Sequence, residues 1–205
     1  MTALKADRRT ERTRAALMTA FIGLLLSEGY EFVTVERVAE RANVGRSTFY
    51  LHYAGKEEIL KQSMMRPSSF LATLVGHECQ PDFLMPILNH FLEQRKTNRV
   101  FFTWPVRPLW VKCLGEMIEP RLALVSRHAR GRPGLPLSMI ALQLAEAQIG
   151  LIAGWLTAKP AVPPEAIAEA LISSTRAMTA ALLRVAPESP LTIPGEKLRL
   201  SERGA

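Results

Sequence analysis

Between residues 10 and 65 the apolar positions recur every three or four residues, the spacing of one helix face rather than of a strand. Leu17, Phe21, Leu24 and Leu25 give the inward face of a first helix over residues 10–28, which Ser27-Glu28-Gly29 closes as a C-cap would. A second helix opens at Thr34, whose hydroxyl can accept from an amide two or three residues on, and Val35, Val38, Ala39 and Ala42 follow at helical spacing. Asn43-Val44-Gly45 then interrupts the pattern, since Asn and Gly tolerate the left-handed backbone that ends a helix. A third helix begins at Arg46 and runs through Phe49, Tyr50 and His52. Val44 and Phe49 supply its inward positions. Arg46, Ser47, Thr48, Tyr50 and His52 are donors or acceptors of a size to reach a base edge or a phosphate.

The pattern then continues as a linking helix from Glu57 to about Met65, ending near Pro67. Further on, prolines at 81, 86, 105, 108, 120, 133 and 136 cut the chain into helices of about 82–98, 105–115 and 117–129, with a loop around 130–135. Residues 136–158 and 164–185 are two long helical runs joined by Lys159–Pro163, and Pro164 suits a first helical position. No stretch alternates β-branched residues, so the predicted class is all-α. The expected division is a helix-turn-helix domain over residues 1–60, a helical regulatory and dimerisation domain over 61–186, and an extended tail over 187–205. Residues Met1 to Asp7 read as a loose leader.

Two apolar runs imitate membrane-directed segments. Arg8, Arg9, Arg12 and Arg14 before AALMTAFIGLLL have the layout of a signal peptide, but no small-x-small cleavage site follows and the next helix starts at once. Those arginines sit where phosphates could be touched, and a solvated helix end explains them equally well. Residues 136–158 carry Gln143, Glu146 and Gln148, which argues against a membrane span.

Composition changes this picture little. The chain has 205 residues, 48% of them apolar and 22% charged, so it can bury a substantial core. Cys79 and Cys113 are far apart, which implies neither a disulfide framework nor a metal site and suits a reducing cytoplasm. Net charge is +7, but residues 1–60 hold nine Lys/Arg against eight Asp/Glu. The excess lies in residues 93–133, with nine basic and three acidic side chains. Charge is therefore not the argument for nucleic acid. It hints at an anionic ligand or acidic partner, and a solvated surface accounts for it as well. The four histidines are scattered, and no GxSxG, Walker-type or HExxH motif occurs, so no enzyme, cofactor or metal is expected.

Two helices joined by a short Gly-containing turn make a helix-turn-helix, whose second helix lies in the DNA major groove; an ordinary packed helix pair has the same periodicity. The order of residues decides between them. The run GRSTFYLHYAGKEEIL, with Gly29-Tyr30-Glu31 and Thr34-Val35 upstream, closely resembles the recognition helix and following helix of the tetracycline-repressor family of bacterial transcription regulators. Similarity is strong over about residues 10–62 and loose over the last two helices.

That resemblance, with physical fit, implies roles. Arg46 is placed to read guanine O6 and N7, Thr48 and Tyr50 to meet thymine methyls or phosphates, and Ser47 to allow close approach. His52 and Tyr53 would lie nearer the backbone, Lys56 would hold a phosphate at a helix N-terminus, and Thr34 and Arg37 would be further phosphate contacts. Phe49 is left to the core. Members of the family pair their last two helices with a second subunit, which here nominates Ala147, Gly150, Gly154, Leu171, Met178 and Leu182. They also commonly bind a small molecule among the middle helices, which nominates His90, Phe91, Phe101, Phe102, Trp104, Arg107, Trp110 and Cys113. The implied function is a cytoplasmic, nucleoid-associated homodimeric repressor that binds an inverted-repeat operator and is released by a small-molecule effector. An activator of the same fold, or a helical ligand-binding or scaffold protein without sequence-specific DNA binding, is the alternative.

Overall fold

A computed structural model describes residues 2–157, 162–185 and 191–193, with the backbone alone at 2–7, 96 and 97. The described residues are all-α: α1 (Thr2–Glu28), α2 (Val35–Arg41), α3 (Arg46–Tyr50), α4 (Lys56–Thr73), α5 (Met85–Glu93), α6 (Arg95–Asn98), α7 (Val106–His128), α8 (Leu137–Thr157) and α9 (Pro164–Leu183). Short 3-10 turns at Tyr30–Phe32, Pro81–Phe83 and Arg99–Phe102 join them.

The N-terminal helices form where local chemistry asks for them. Thr34 caps α2, its hydroxyl accepting from the Arg37 amide at 3.4 Å. Gly29, at φ 90°, ends α1 with its amide donating to the Leu25 carbonyl at 3.0 Å. In the 43–45 turn only Asn43 takes the left-handed backbone, at φ 54°; Gly45, at φ −68°, instead precedes α3 as its N-cap. Leu17, Phe21, Leu24 and Leu25 of α1 meet Val38, Phe49 and Tyr53 in one buried cluster. The leader is not loose, because the backbone of residues 2–7 is the first part of α1.

Two prolines fail to stop helices. Helix α4 runs to Thr73 through Pro67, and α7 runs from Val106 to His128 through Pro120, so the separate segments expected at 105–115 and 117–129 are one helix. Pro67 removes one backbone hydrogen bond, a local cost of roughly 3 kcal/mol for a proline in a helix interior. Tertiary burial outweighs it. Beyond Pro67, Ser68, Leu71 and Ala72 are buried, and the Trp110 indole N–H donates to the Ser68 hydroxyl at 3.0 Å. Across Pro120 the stripe Trp110, Leu114, Ile118, Leu122 and Val125 stays buried without a break. The segment expected as one helix over 82–98 instead breaks at Gln94 into α5 and α6.

Helix α7 packs along α8, with Gly115 bringing the two backbones together: a methyl added there would lie 3.7 Å from Leu142 Cα. Over their most apolar 18-residue windows α8 and α9 have mean hydropathies of 1.4 and 1.2, enough by length and composition to cross a bilayer. Gln143, Glu146 and Gln148 therefore do not exclude a span by themselves. Packing gives these helices their places. Ile140, Leu144, Ile149 and Ile152 of α8 are buried, and buried Gln148 donates to the Leu71 carbonyl of α4 at 3.3 Å and the Thr175 hydroxyl of α9 at 3.0 Å. Of the tail, residues 191–193 lie against the core, where the Ile193 amide donates to the Gly76 carbonyl at 2.7 Å. The remainder of the tail, and residues 158–161 of the connection, lie outside the described residues.

Candidate nucleic-acid interface

Helix α3 is five residues long and hangs on one side chain. Phe49 is fully buried, its ring 5.6 Å from that of Tyr50 and 5.7 Å from that of Tyr53. With that face pinned inward, Arg46, Ser47 and Tyr50 are exposed and Thr48 is half-buried, so the four share the outer side. Leu51, which sequence reasoning passed over, is 81% exposed at the end of the same helix. The Arg46 guanidinium lies 3.0 Å from the Glu36 carboxylate, reaches the Tyr50 hydroxyl at 3.5 Å and sits 5.6 Å from the Tyr50 ring centre. The Tyr50 hydroxyl, and then the Glu36 carboxylate, push the Arg46 guanidinium above its ordinary value. Arg46 is thus an outward-facing fork of donors with Glu36 and Tyr50 beside it.

Four nominated contacts have other first duties. Tyr53 is 2% exposed and packs on Phe49, so it belongs to the core. Arg37 forms an ion pair with Glu28 and donates to the Phe32 carbonyl at 3.0 Å, tying α2 to the end of α1. Thr34 uses its hydroxyl as a cap. Lys56 spends two of its three donors on the carbonyls of Tyr30, at 3.3 Å, and Val33, at 3.1 Å, and its ammonium lies 4.6 Å from the Tyr30 ring centre. Burial pushes the Tyr30 phenol up to about 12. His52 is half-buried.

The Lys56 geometry separates a structural from a DNA-contacting lysine. Charged hydrogen bonds contribute about 1.5–3 kcal/mol, so Lys56→Met is expected to lower unfolding free energy by ~2 kcal/mol in urea titrations. Its salt dependence of DNA binding should stay unchanged. A lysine neutralising a phosphate would instead reduce the slope of log K against log salt by about 1.

A cavity of about 560 Å³ opens beneath this head, where α1, α4, α5 and α7 converge. Of the nominated ligand residues it gathers His90, Phe91, Phe101 and Trp110. The others lie elsewhere. Phe102 is buried behind, its ring 4.8 Å from that of Trp110, Cys113 is buried, Trp104 is 79% exposed, and Arg107 pairs with Glu146 of α8. Sequence reasoning missed Met18 and Ile22 of α1, the α4 residues Gln62, Ser63, Met64, Arg66, Pro67 and Phe70, and Pro86, Ile87 and Asn98. The α4 signal was present: positions 62, 63, 66, 67 and 70 fall at helical spacing on one face. Among the described residues no three His, Cys, Asp or Glu side chains gather as a metal site.

Of the dimer nominees, Ala147 and Gly154 are exposed and Gly150 is half-buried on the outer side of α8. Leu171 is fully buried in its own protomer, so it faces the core and not a neighbour; Met178 and Leu182 are half-buried against that core.

Comparison with known proteins follows the same division. Residues 17–62 match the model of the bacterial regulatory proteins, tetR family. Over 61 residues, 29% of the chain, it is 43% identical to the uncharacterised HTH-type transcriptional regulator YxbF of Bacillus subtilis, and over 69 residues, 33% of the chain, 41% identical to the HTH-type transcriptional regulator TcmR of Streptomyces glaucescens. Those alignments span 16% and 30% of the relatives' own lengths, so they speak for the reading head alone. The whole fold is similar to a TetR transcriptional regulator from Streptococcus agalactiae, with TM-score 0.55 and 25% identity over 84% of this chain and 98% of the other. It is also similar to Thermus thermophilus FadR, a transcriptional repressor solved with lauroyl-CoA, with TM-score 0.50 and 18% identity over 80% and 93%. By the match over residues 17–62 the chain carries the N-terminal domain of the bacterial regulatory proteins, tetR family, and its all-α fold is similar to that of a TetR transcriptional regulator.

Proposed function

We propose that the chain is a cytoplasmic transcriptional repressor that binds an inverted-repeat operator as a homodimer and leaves it when a small molecule fills the cavity under α1. The observation that carries this reading is the outward set Arg46, Ser47, Thr48 and Tyr50 on a helix anchored by one buried phenylalanine. These are side chains that read base edges in the major groove, presented from the second helix of a helix-turn-helix. One such head spans few base pairs, and two related by a twofold axis span half-sites about 34–36 Å apart or a multiple of that.

The outer faces of α8 and α9 support the dimer. Their apolar windows are only 39% and 33% buried. Among the positions they leave exposed or half-buried is a set of small residues, Ala147, Gly150 and Gly154 on α8 and Ala166, Ala170, Ser173 and Ala177 on α9, beside exposed Met139 and Leu142. Such stripes let a second helix pair approach closely. Gly154 gives a clean test, because no atom lies within 4 Å of a Cβ added there. Gly154→Leu is expected to leave the protomer folded, yet to yield a monomer in sedimentation velocity at micromolar concentration and to lose cooperative DNA binding. An unchanged dimer would place the interface elsewhere. For the repressor role, transcription in vitro from a promoter carrying the bound duplex should fall as protein is added; a rise would make the chain an activator.

A further inference from the structure

Resting on the reading that α3 enters the major groove, the surroundings of Arg46 specify more than a guanine. Glu36, in the first turn of α2, is exposed, and its carboxylate stands beside the Arg46 guanidinium with Oε1 3.0 Å from Nη1. Exposed ion pairs of this kind stabilise a fold little. On a surface that meets DNA a carboxylate also costs affinity, because every phosphate repels it. The positive end of α2 favours an acid in that turn, but not one that leans on the reading arginine of the next helix.

The groove gives that acid a use. An ionised carboxylate only accepts hydrogen bonds, and the major-groove edges offer donors at two atoms alone, cytosine N4 and adenine N6. The Glu36 carboxyl is held below its ordinary range, first by its own backbone amide and further by Arg46, so it stays an acceptor. Across a G·C pair the edge runs guanine N7, guanine O6, cytosine N4: acceptor, acceptor, donor. O6 and N4 are themselves hydrogen-bonded, about 2.9 Å apart. The protein carries the complementary order, Arg46 Nη2, Arg46 Nη1 and Glu36 Oε1, and the last two of these atoms are 3.0 Å apart. In A·T, T·A and C·G pairs the third place is an acceptor, thymine O4 or a purine N7, which the carboxylate repels.

We infer that Glu36 is a specificity-determining residue, which accepts from the N4 amine of the cytosine paired with the guanine held by Arg46. Binding exchanges partners. The Arg46 donors pass from Glu36 and Tyr50 to guanine N7 and O6, and the Glu36 oxygen they leave receives the cytosine amine, so neither charge ends unpaired. Any other base pair at this place strands the carboxylate against an acceptor, and the cost falls on the wrong duplex. The two helices of the motif thus read one base pair together, α3 from the purine side and α2 from the pyrimidine side.

The test uses the full chain and the duplex it selects from a random pool. At the G·C pair whose preference Arg46→Ala relaxes, in each half-site, cytosine is replaced by N4-methylcytosine. That base keeps its pair with guanine, and its methyl group takes the place of the amine hydrogen that faces Glu36. By fluorescence anisotropy the wild-type chain should bind the modified duplex roughly tenfold more weakly, or worse. Glu36→Ala, at an exposed position and with its helical circular dichroism unchanged, should bind the plain and modified duplexes within about twofold of each other. A smaller wild-type penalty, or one that survives in Glu36→Ala, would overturn the inference and leave the operator reading standing; an equal gain of Glu36→Ala on plain, modified and scrambled duplexes would then mark Glu36 as a general repeller of phosphate. A selected site in which Arg46→Ala relaxes no G·C pair would overturn it as well. Selection of no duplex at all would instead sink the reading of α3, and this inference with it.

Discussion

Replacing Arg46 with Ala should cost more DNA affinity than any other single change on the surface of the reading head. A bidentate Arg–guanine pair is worth about 1–3 kcal/mol, and a dimer makes it twice, so the loss is roughly 2–6 kcal/mol, or ~30-fold upward in dissociation constant. Arg46 has Glu36 at 3.0 Å and Tyr50 at 3.5 Å beside it, and the donors it holds there pass to the base on binding, which offsets part of the gain. Arg46→Lys should recover only a fraction, since an ammonium cannot reproduce the planar fork. Fluorescence anisotropy with the preferred duplex and a scrambled one checks this. Loss confined to the preferred duplex marks a base contact, whereas equal loss on both marks a phosphate contact.

The second large effect is on stability. Phe49→Ala should lower the unfolding free energy by about 3–5 kcal/mol, because a fully buried aromatic ring is removed and the cavity left behind collapses only in part. That is a large share of the ~5–15 kcal/mol that holds a typical domain together. The consequence for function is direct. A five-residue helix does not persist in water on its own propensity, so α3 keeps its shape only while Phe49 anchors it between Tyr50 and Tyr53. Urea denaturation followed by circular dichroism measures the loss, and Phe49→Leu should cost about 1.5 kcal/mol or less. A cost below about 1 kcal/mol for the alanine variant would show that α3 is held by something else.

Phe49 was legible in the sequence because its signal is local. Thr34 as a cap, Asn43 in the left-handed turn and Phe49 inward among polar neighbours each depend on residues within one or two turns. Resemblance in GRSTFYLHYAGKEEIL then added the expectation of DNA. What escaped was decided at long range. Pro67 and Pro120 read as helix ends because their cost is local, while the compensation comes from Trp110 on Ser68 and from Leu122 and Val125 in a distant core. Lys56 has the residue type and position of a phosphate ligand, but the Tyr30 and Val33 carbonyls that occupy it become neighbours only when the head folds. The cavity draws on residues from 18 to 110, and aromatic content alone could not tell its lining, Phe91 and Trp110, from Phe102 behind it or Trp104 on the surface. Leu171 shows the same limit: periodicity identified the apolar face of α9, and only packing shows that this face turns inward.

The most direct test of the account is selection of bound duplexes from a random oligonucleotide pool by the purified protein at moderate salt. An enriched inverted repeat, its half-sites about one helical turn or a multiple apart, is the predicted result and is what two copies of α3 related by a twofold axis require. Enrichment of no sequence, with only salt-sensitive background binding, would contradict it: the helix-turn-helix would then be a fold without its reading function.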